Sequence, residues 1–109
     1  MNKINLIAEI GWNHMGNMSL AKKMIFEAKK NGANICKFQT WSEKNLRSGP
    51  WDSDGRREIY KKAELSLEKH LYLKKYCKKI GIKFLSSAFS FRGLELLKKA
   101  GAKEVKIPS

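Results

Sequence analysis

Hydrophobic and polar positions along the chain alternate between two periods. Leu6, Ile7, Ala8 and Ile10 make a short apolar run, the pattern of a strand bound for an interior. Leu20, Ala21, Met24, Ile25 and Ala28 then recur at helical spacing and form one stripe, with Ser19 placed as N-cap. Leu67, Leu71, Leu73, Cys77 and Ile80 form a second stripe, capped by Ser66, and Leu94, Leu96 and Leu97 mark a third, shorter helix. The order predicted is strand (about 4–10), helix (19–31), strand (34–40), helix (66–80), strand (82–88), helix (91–100), strand (103–107).

One unit recurs. EAKKNGANICKFQT, YCKKIGIKFLSSAF and LLKKAGAKEVKIPS each run from a basic last helical turn through a glycine into a short apolar strand. Gly32, Gly81 and Gly101 suit the left-handed position that ends a helix. Alternating strands and helices imply right-handed crossovers and a parallel sheet. An open four-stranded sheet would leave a parallel edge bare. The N-terminal half of a (β/α)8 barrel, with about four parallel strands and three main helices, fits better, because a complete barrel takes roughly 250 residues. The expectation is a fragment: residues 1–109 as part of a TIM-barrel domain.

One connection breaks the rhythm. Residues 41–65, WSEKNLRSGPWDSDGRREIYKKAEL, join the second strand to the second predicted helix. Loops in compact α/β units take a few residues, and longer ones tend to be functional or disordered. Trp41, Trp51 and Tyr60 argue for an ordered lid or a subunit contact, with a short helix near 56–65.

Composition narrows the class. The chain has 109 residues, with 42% hydrophobic and 30% charged, the balance of a folded domain. No apolar run nears the roughly 18 residues of a membrane span, and no signal-peptide pattern opens the chain. A cytoplasmic location is expected. The formal net charge is +13, which raises nucleic-acid binding as a function. The lysines, however, come as pairs within helical segments, where they solvate faces and suit the C-terminal dipole. No arginine-rich tract or RNA-stacking motif accompanies them. Cys36 and Cys77 sit in apolar patterns without metal-type spacing and are read as buried free thiols.

In a parallel barrel, chemistry gathers at the C-terminal ends of the strands. Glu9 ends the first strand. Lys37 and Gln39 end the second and, two residues apart, share a face. Ser87 ends the third, and Lys106 and Ser109 end the fourth. Isolated buried charges are costly, so several hydrophilic groups at successive strand ends point to a site. Lysines with hydroxyls suit a phosphate or carboxylate. Glu9 suits a general base or a partner for a sugar hydroxyl. These residues specify a barrel enzyme acting on an anion. A Schiff-base aldolase and a basic nucleic-acid-binding module stay open as alternatives.

The blocks IAEIGWNHMGNMSLAKKMIFEAKKNGANICKFQTW, AELSLEKHLYLKKYCKKIGIKFLSSAFS and VKIPS resemble, in order, the N-terminal part of the sialic acid synthase family. The resemblance implies a (β/α)8 barrel followed by an antifreeze-like C-terminal domain, in a homodimer. It implies condensation of phosphoenolpyruvate with an N-acetylmannosamine-type sugar, phosphate release, and a divalent metal, Mn2+ or Mg2+. By position Glu9 is similar to the family's catalytic glutamate, and Lys37 and Lys106 to its phosphoenolpyruvate-binding lysines. Gln39, Ser87 and Ser109 fall where the family lines its substrate site.

This sequence departs from the family pattern at Ala88, where the family has proline. The metal-binding histidines that the resemblance implies lie beyond Ser109, so no metal ligand is expected in this chain, and the chain alone is not expected to turn over. His14 is read as an orienting residue at the barrel mouth, and His70 as a surface residue. Another phosphoenolpyruvate-condensing barrel stays open as an alternative, and the identity of the sugar is left open between N-acetylmannosamine, its 6-phosphate and a diacetamido sugar.

Overall fold

The computed structural model describes residues 4–109. Three parallel strands make the sheet: β1 (Ile7–Gly11), β2 (Ile35–Thr40) and β3 (Lys83–Ala88), in the order β1-β2-β3. Ile7 pairs with Ile35 and Ile35 with Lys83. Glu9 pairs with Lys37 and Lys37 with Leu85. Four helices accompany the sheet: α1 (Met18–Lys30), α2 (Arg56–Ala63), α3 (Leu67–Ile80) and α4 (Phe91–Lys99). This α/β arrangement with a parallel sheet is the one the sequence pattern predicts, with the short extra helix in the long connection.

The predicted fourth strand shrinks to a single parallel bridge, Ser87 to Lys106. Two backbone bonds hold it, Ala88 N–H to the Lys106 carbonyl and Lys106 N–H to the Ser86 carbonyl, each 3.0 Å. With no described strand on its far side, the segment lacks the second ladder that would extend it.

Alternation fixes two faces of the sheet. Cys36, Phe38 and Thr40 are buried on one face, against the helices. Phe38 stacks on Phe84 with centroids 5.3 Å apart and joins Ile25, Leu65 and Leu73 in the core. Each such side chain contributes about 1.5–3 kcal/mol of apolar burial. The other face carries Ile7, Glu9, Lys37, Gln39, Leu85 and Ser87. It stays largely open, and Ile7 is 46% exposed.

One cap and one helical stripe differ from the sequence reading. Asn17, not Ser19, caps α1, its side-chain oxygen accepting the Leu20 N–H at 3.1 Å. An amide serves this role as well as a hydroxyl, and the helix begins a residue earlier. Ser66 caps α3 as expected. On α3 the buried stripe is His70, Leu73 and Cys77, while Leu71 faces outward. Counting back from Cys77 by helical steps reaches Leu73 and then His70. The core position goes to a histidine because its polar atoms find partners inside. Gly32, Gly81 and Gly101 take the left-handed conformation assigned to them.

The long connection is built, not loose. It holds two 3-10 turns, Glu43–Asn45 and Pro50–Asp52, followed by α2. Arg57 ties the pieces together. Its guanidinium donates to Glu43 Oε1 (2.9 Å) and Asp52 Oδ1 (2.8 Å), and more weakly to the carbonyls of Leu46 and Arg47.

Candidate functional site

The open face of the sheet carries an ion pair at its C-terminal end. Lys37 Nζ lies 3.3 Å from Glu9 Oε2, and Gln39 Nε2 donates a long 3.5 Å bond to Glu9 Oε1. The parallel register makes this contact, because Glu9 and Lys37 are directly paired across β1 and β2. The Lys37 side chain is 21% exposed and that of Glu9 is 49% exposed, so the carboxylate is the more accessible partner.

Gly11 keeps the space around that carboxylate, a role that sequence reasoning missed. The β1–β2 register slips between Glu9 and Gly11, and Gly11 takes φ +57°. A Cβ there would meet Glu9 Oε1 at 3.5 Å and the Gln39 amide at 3.7 Å. The signal was the glycine directly after the strand, which marks a bulge or a close approach.

Ser87 pairs in register with Gln39 and is buried, so it joins the same face. Lys106 is bridged to Ser87 through its backbone, but its ammonium group turns away to the Ile107 carbonyl at 2.8 Å. Ser109 is exposed beyond it. The fold therefore joins Glu9, Lys37 and Gln39 by side-chain contacts and sets Ser87 beside them. It brings Lys106 near by backbone alone and leaves Ser109 apart.

Behind the sheet, a buried chain of hydrogen bonds corrects the surface reading of His70. Its ring is fully buried. Nδ1 lies 2.7 Å from the Ser66 carbonyl, which can only accept, so Nδ1 carries the proton. Nε2 then accepts from the Thr40 hydroxyl at 2.7 Å, and Thr40 Oγ1 accepts from Ser86 at 2.7 Å. Burial lowers the His70 pKa from its ordinary value, and the Ser66 contact opposes this. The network ties α3 to the last residue of β2 and to β3, directly behind Gln39 and Ser87.

His14 is equally buried but satisfied on one side only. Its Nδ1 accepts the Gly16 N–H at 2.9 Å, which puts the proton on Nε2, and that atom has no hydrogen-bond partner. Burial, and then the Lys69 charge, hold its pKa below the ordinary value. His14 packs on Phe38 at 6.1 Å, behind the sheet and not in its open face. It is thus a buried component of the turn after β1.

Aromatic side chains stand beyond the strand ends. Tyr60 of α2 meets Trp12 edge-on at 6.0 Å and Trp41 at 6.3 Å, and Trp41 meets Phe89 at 6.4 Å. The Trp41 indole N–H donates to the Tyr60 carbonyl at 3.2 Å. One residue following each of the three strands is thereby joined to the long connection.

Cys36 and Cys77 are both buried free thiols. Contact with Cys36 and burial push the Cys77 thiol up, which keeps it protonated. Among the described residues no group of three or more His, Cys, Asp or Glu could hold a metal ion. No helix among them is long and apolar enough to cross a membrane.

Comparison with known proteins places this geometry in a family. The chain is 37% identical to an N,N'-diacetyllegionaminic acid synthase of Campylobacter jejuni, over all of this chain and 36% of the relative. It is 33% identical to an N-acetylneuraminate-9-phosphate synthase of Drosophila melanogaster, over all of this chain and 32% of the relative. A crystal structure of an N-acetylneuraminic acid synthetase from Leptospira borgpetersenii, in complex with citrate, superposes with a TM-score of 0.86 at 35% identity. That match covers 97% of this chain and 36% of the solved one. The chain thus spans about a third of the length of the curated relatives it matches. Residues 24–109 match the sequence model of the NeuB family, and the chain belongs to that family.

Proposed function

We propose that residues 1–109 form the N-terminal part of a synthase barrel, completed by further barrel strands and an antifreeze-like domain outside this chain. The enzyme condenses phosphoenolpyruvate with an N-acetylmannosamine-type sugar and releases phosphate. Its catalytic residue here is Glu9. Lys37, Gln39, Ser87, Lys106 and Ser109 bind substrate. The observation that carries this reading is the Glu9–Lys37 pair, 3.3 Å apart, with Gln39 alongside on the open face. A base, a cation and an amide are thereby set together where a parallel barrel keeps its chemistry.

The reaction follows from these groups. C3 of phosphoenolpyruvate bonds to the aldehyde carbon of the sugar, and the aldehyde oxygen takes a proton from solvent to become a hydroxyl. Positive character develops at C2, where water adds and gives its proton to Glu9. The bond from C2 to the phosphate oxygen then breaks, phosphate leaves with the bonding electrons and takes up the C2 hydroxyl proton, and the C2 oxygen becomes the product's carbonyl. Lys37 holds the anion and offsets its charge. Binding the anion draws Lys37 from Glu9, which frees the carboxylate to take the proton. Gln39 and Ser87 orient the sugar hydroxyls. The divalent metal expected from the family resemblance would supply electrophilic activation of the aldehyde when held by residues beyond Ser109. A cytoplasmic homodimer is part of the same proposal.

Lys37→Met in the full-length enzyme tests the assignment. A lost charge-assisted hydrogen bond costs about 1.5–3 kcal/mol, so the KM for phosphoenolpyruvate should rise about 10- to 100-fold. The KM for the sugar should change far less. Unchanged phosphoenolpyruvate kinetics would remove Lys37 from the site.

A further inference from the structure

Glu9 stands near the end of a strand that is held on one side. Among the described residues β1 pairs with β2 alone, and its regular pairing ends with Glu9 opposite Lys37. The register then slips, Gly11 pairs with Phe38, and the chain leaves the sheet in a tight turn. The position of the carboxylate therefore depends on that turn. Its backbone is strained. Met15 sits at φ +55°, in the left-handed region that side chains other than glycine rarely adopt. Such strain persists only where the surroundings hold it.

His14 spans the turn. Its Nδ1 accepts the Gly16 N–H at 2.9 Å, across the strained Met15. Its ring is fully buried and packs at 6.1 Å on Phe38, the residue paired with Gly11 where the register slips. One side chain thus touches both ends of the turn. Stability alone does not account for a histidine there. Its Nε2–H is buried without a protein partner, a cost that an apolar ring would not carry.

We propose that His14 is a positioning residue: by holding the turn between Gly11 and Gly16 it sets where β1 ends, and so where the Glu9 carboxylate stands against Lys37 and Gln39. The proposal rests on the function given above. It divides the effects of a disturbed turn between two strands. Lys37 belongs to β2, which is paired on both sides, so anion binding survives. Glu9 belongs to β1, and a base moved out of hydrogen-bond reach no longer takes the proton.

The test uses the full-length enzyme with phosphoenolpyruvate and N-acetylmannosamine, its 6-phosphate or a diacetamido hexose, whichever wild type turns over fastest. His14→Asn places an amide oxygen close to where Nδ1 stands and still accepts the Gly16 N–H. His14→Gln carries the same amide one bond farther out. Turnover of His14→Asn should stay within about threefold of wild type, and that of His14→Gln should fall at least tenfold. The KM for phosphoenolpyruvate should stay within about twofold in both. Circular dichroism establishes that each variant is folded, and His14→Asn decides alone if His14→Gln is not. Near-native turnover in His14→Gln, a loss carried by the KM for phosphoenolpyruvate, or a loss beyond threefold in folded His14→Asn overturns the role and leaves the function standing. Wild-type enzyme that releases no phosphate with any of the sugars overturns the function itself, and the role of His14 with it.

Discussion

At the scale of single residues, neutrality of the two buried histidines is part of the structure. In His70 the Nε2 lone pair accepts from Thr40, and in His14 the Nδ1 lone pair accepts from Gly16. A proton on either atom destroys that bond and leaves a charge in the core. Both pKa values are lowered in the folded chain. The unfolded chain therefore takes up protons first, near the ordinary value of about 6.5. Stability should be full above that pH and fall as pH drops toward the folded pKa values, by up to ~1.4 kcal/mol per pH unit for each histidine. Urea unfolding of the full-length protein at a series of pH values measures this. His70→Gln should flatten the slope, and an unchanged slope would show that His70 does not contribute. The grouping of Glu9, Lys37 and Gln39 on one face was legible in the sequence because strand parity and order suffice to put them together. The buried role of His70 was not, because an apolar-stripe reading passes over a polar residue whose partners, Thr40 and Ser86, come from other elements.

At the scale of elements, the turn after β1 and the end of α2 fit against each other without spare room. A Cβ on Gly16 would lie 2.0 Å from the Lys62 carbonyl oxygen, and Gly16 sits at φ +81°. Lys69 Nζ reaches the Gly16 carbonyl at 3.3 Å. Gly16→Ala should therefore push α2 off the turn and disturb the Trp12–Tyr60 contact. A destabilisation of about 1–3 kcal/mol is expected from strain and overpacking. Thermal unfolding measures the loss, and an intact melting temperature would mean that α2 moves freely. The helices and strands were readable from periodicity and glycine placement. The order within residues 41–65 was readable as aromatic content and a short helix near 56–65. Its fastening by Arg57 was not, since Glu43 and Asp52 are joined to it across turns that no local period announces.

At the scale of the whole molecule, the described chain covers one face of its sheet and leaves the other open. Ile7, Phe89, Phe91 and Ile107 are exposed at 46, 50, 86 and 64%. The missing cover has a physical consequence, because contiguous apolar surface and a bare sheet edge promote association. The 109-residue chain alone should self-associate or melt without cooperativity. A monodisperse monomer with a sharp, reversible transition would show that the fold needs no further strands. The strand count was the limit of the sequence here, because the apolar pattern at 103–107 marks a strand whose far-side partner the pattern does not contain. The account as a whole turns on the proposal that Glu9, a carboxylate held at the strand ends by Lys37 and Gln39, takes a proton from water. The most direct measurement is turnover of the full-length Glu9→Gln enzyme at saturating substrates, beside its affinity for phosphoenolpyruvate. General-base assistance contributes roughly 10²–10⁴-fold, so turnover should fall by at least that much while the fold and phosphoenolpyruvate binding persist. Near-native turnover in Glu9→Gln would contradict the account and reduce Glu9 to a structural partner of Lys37.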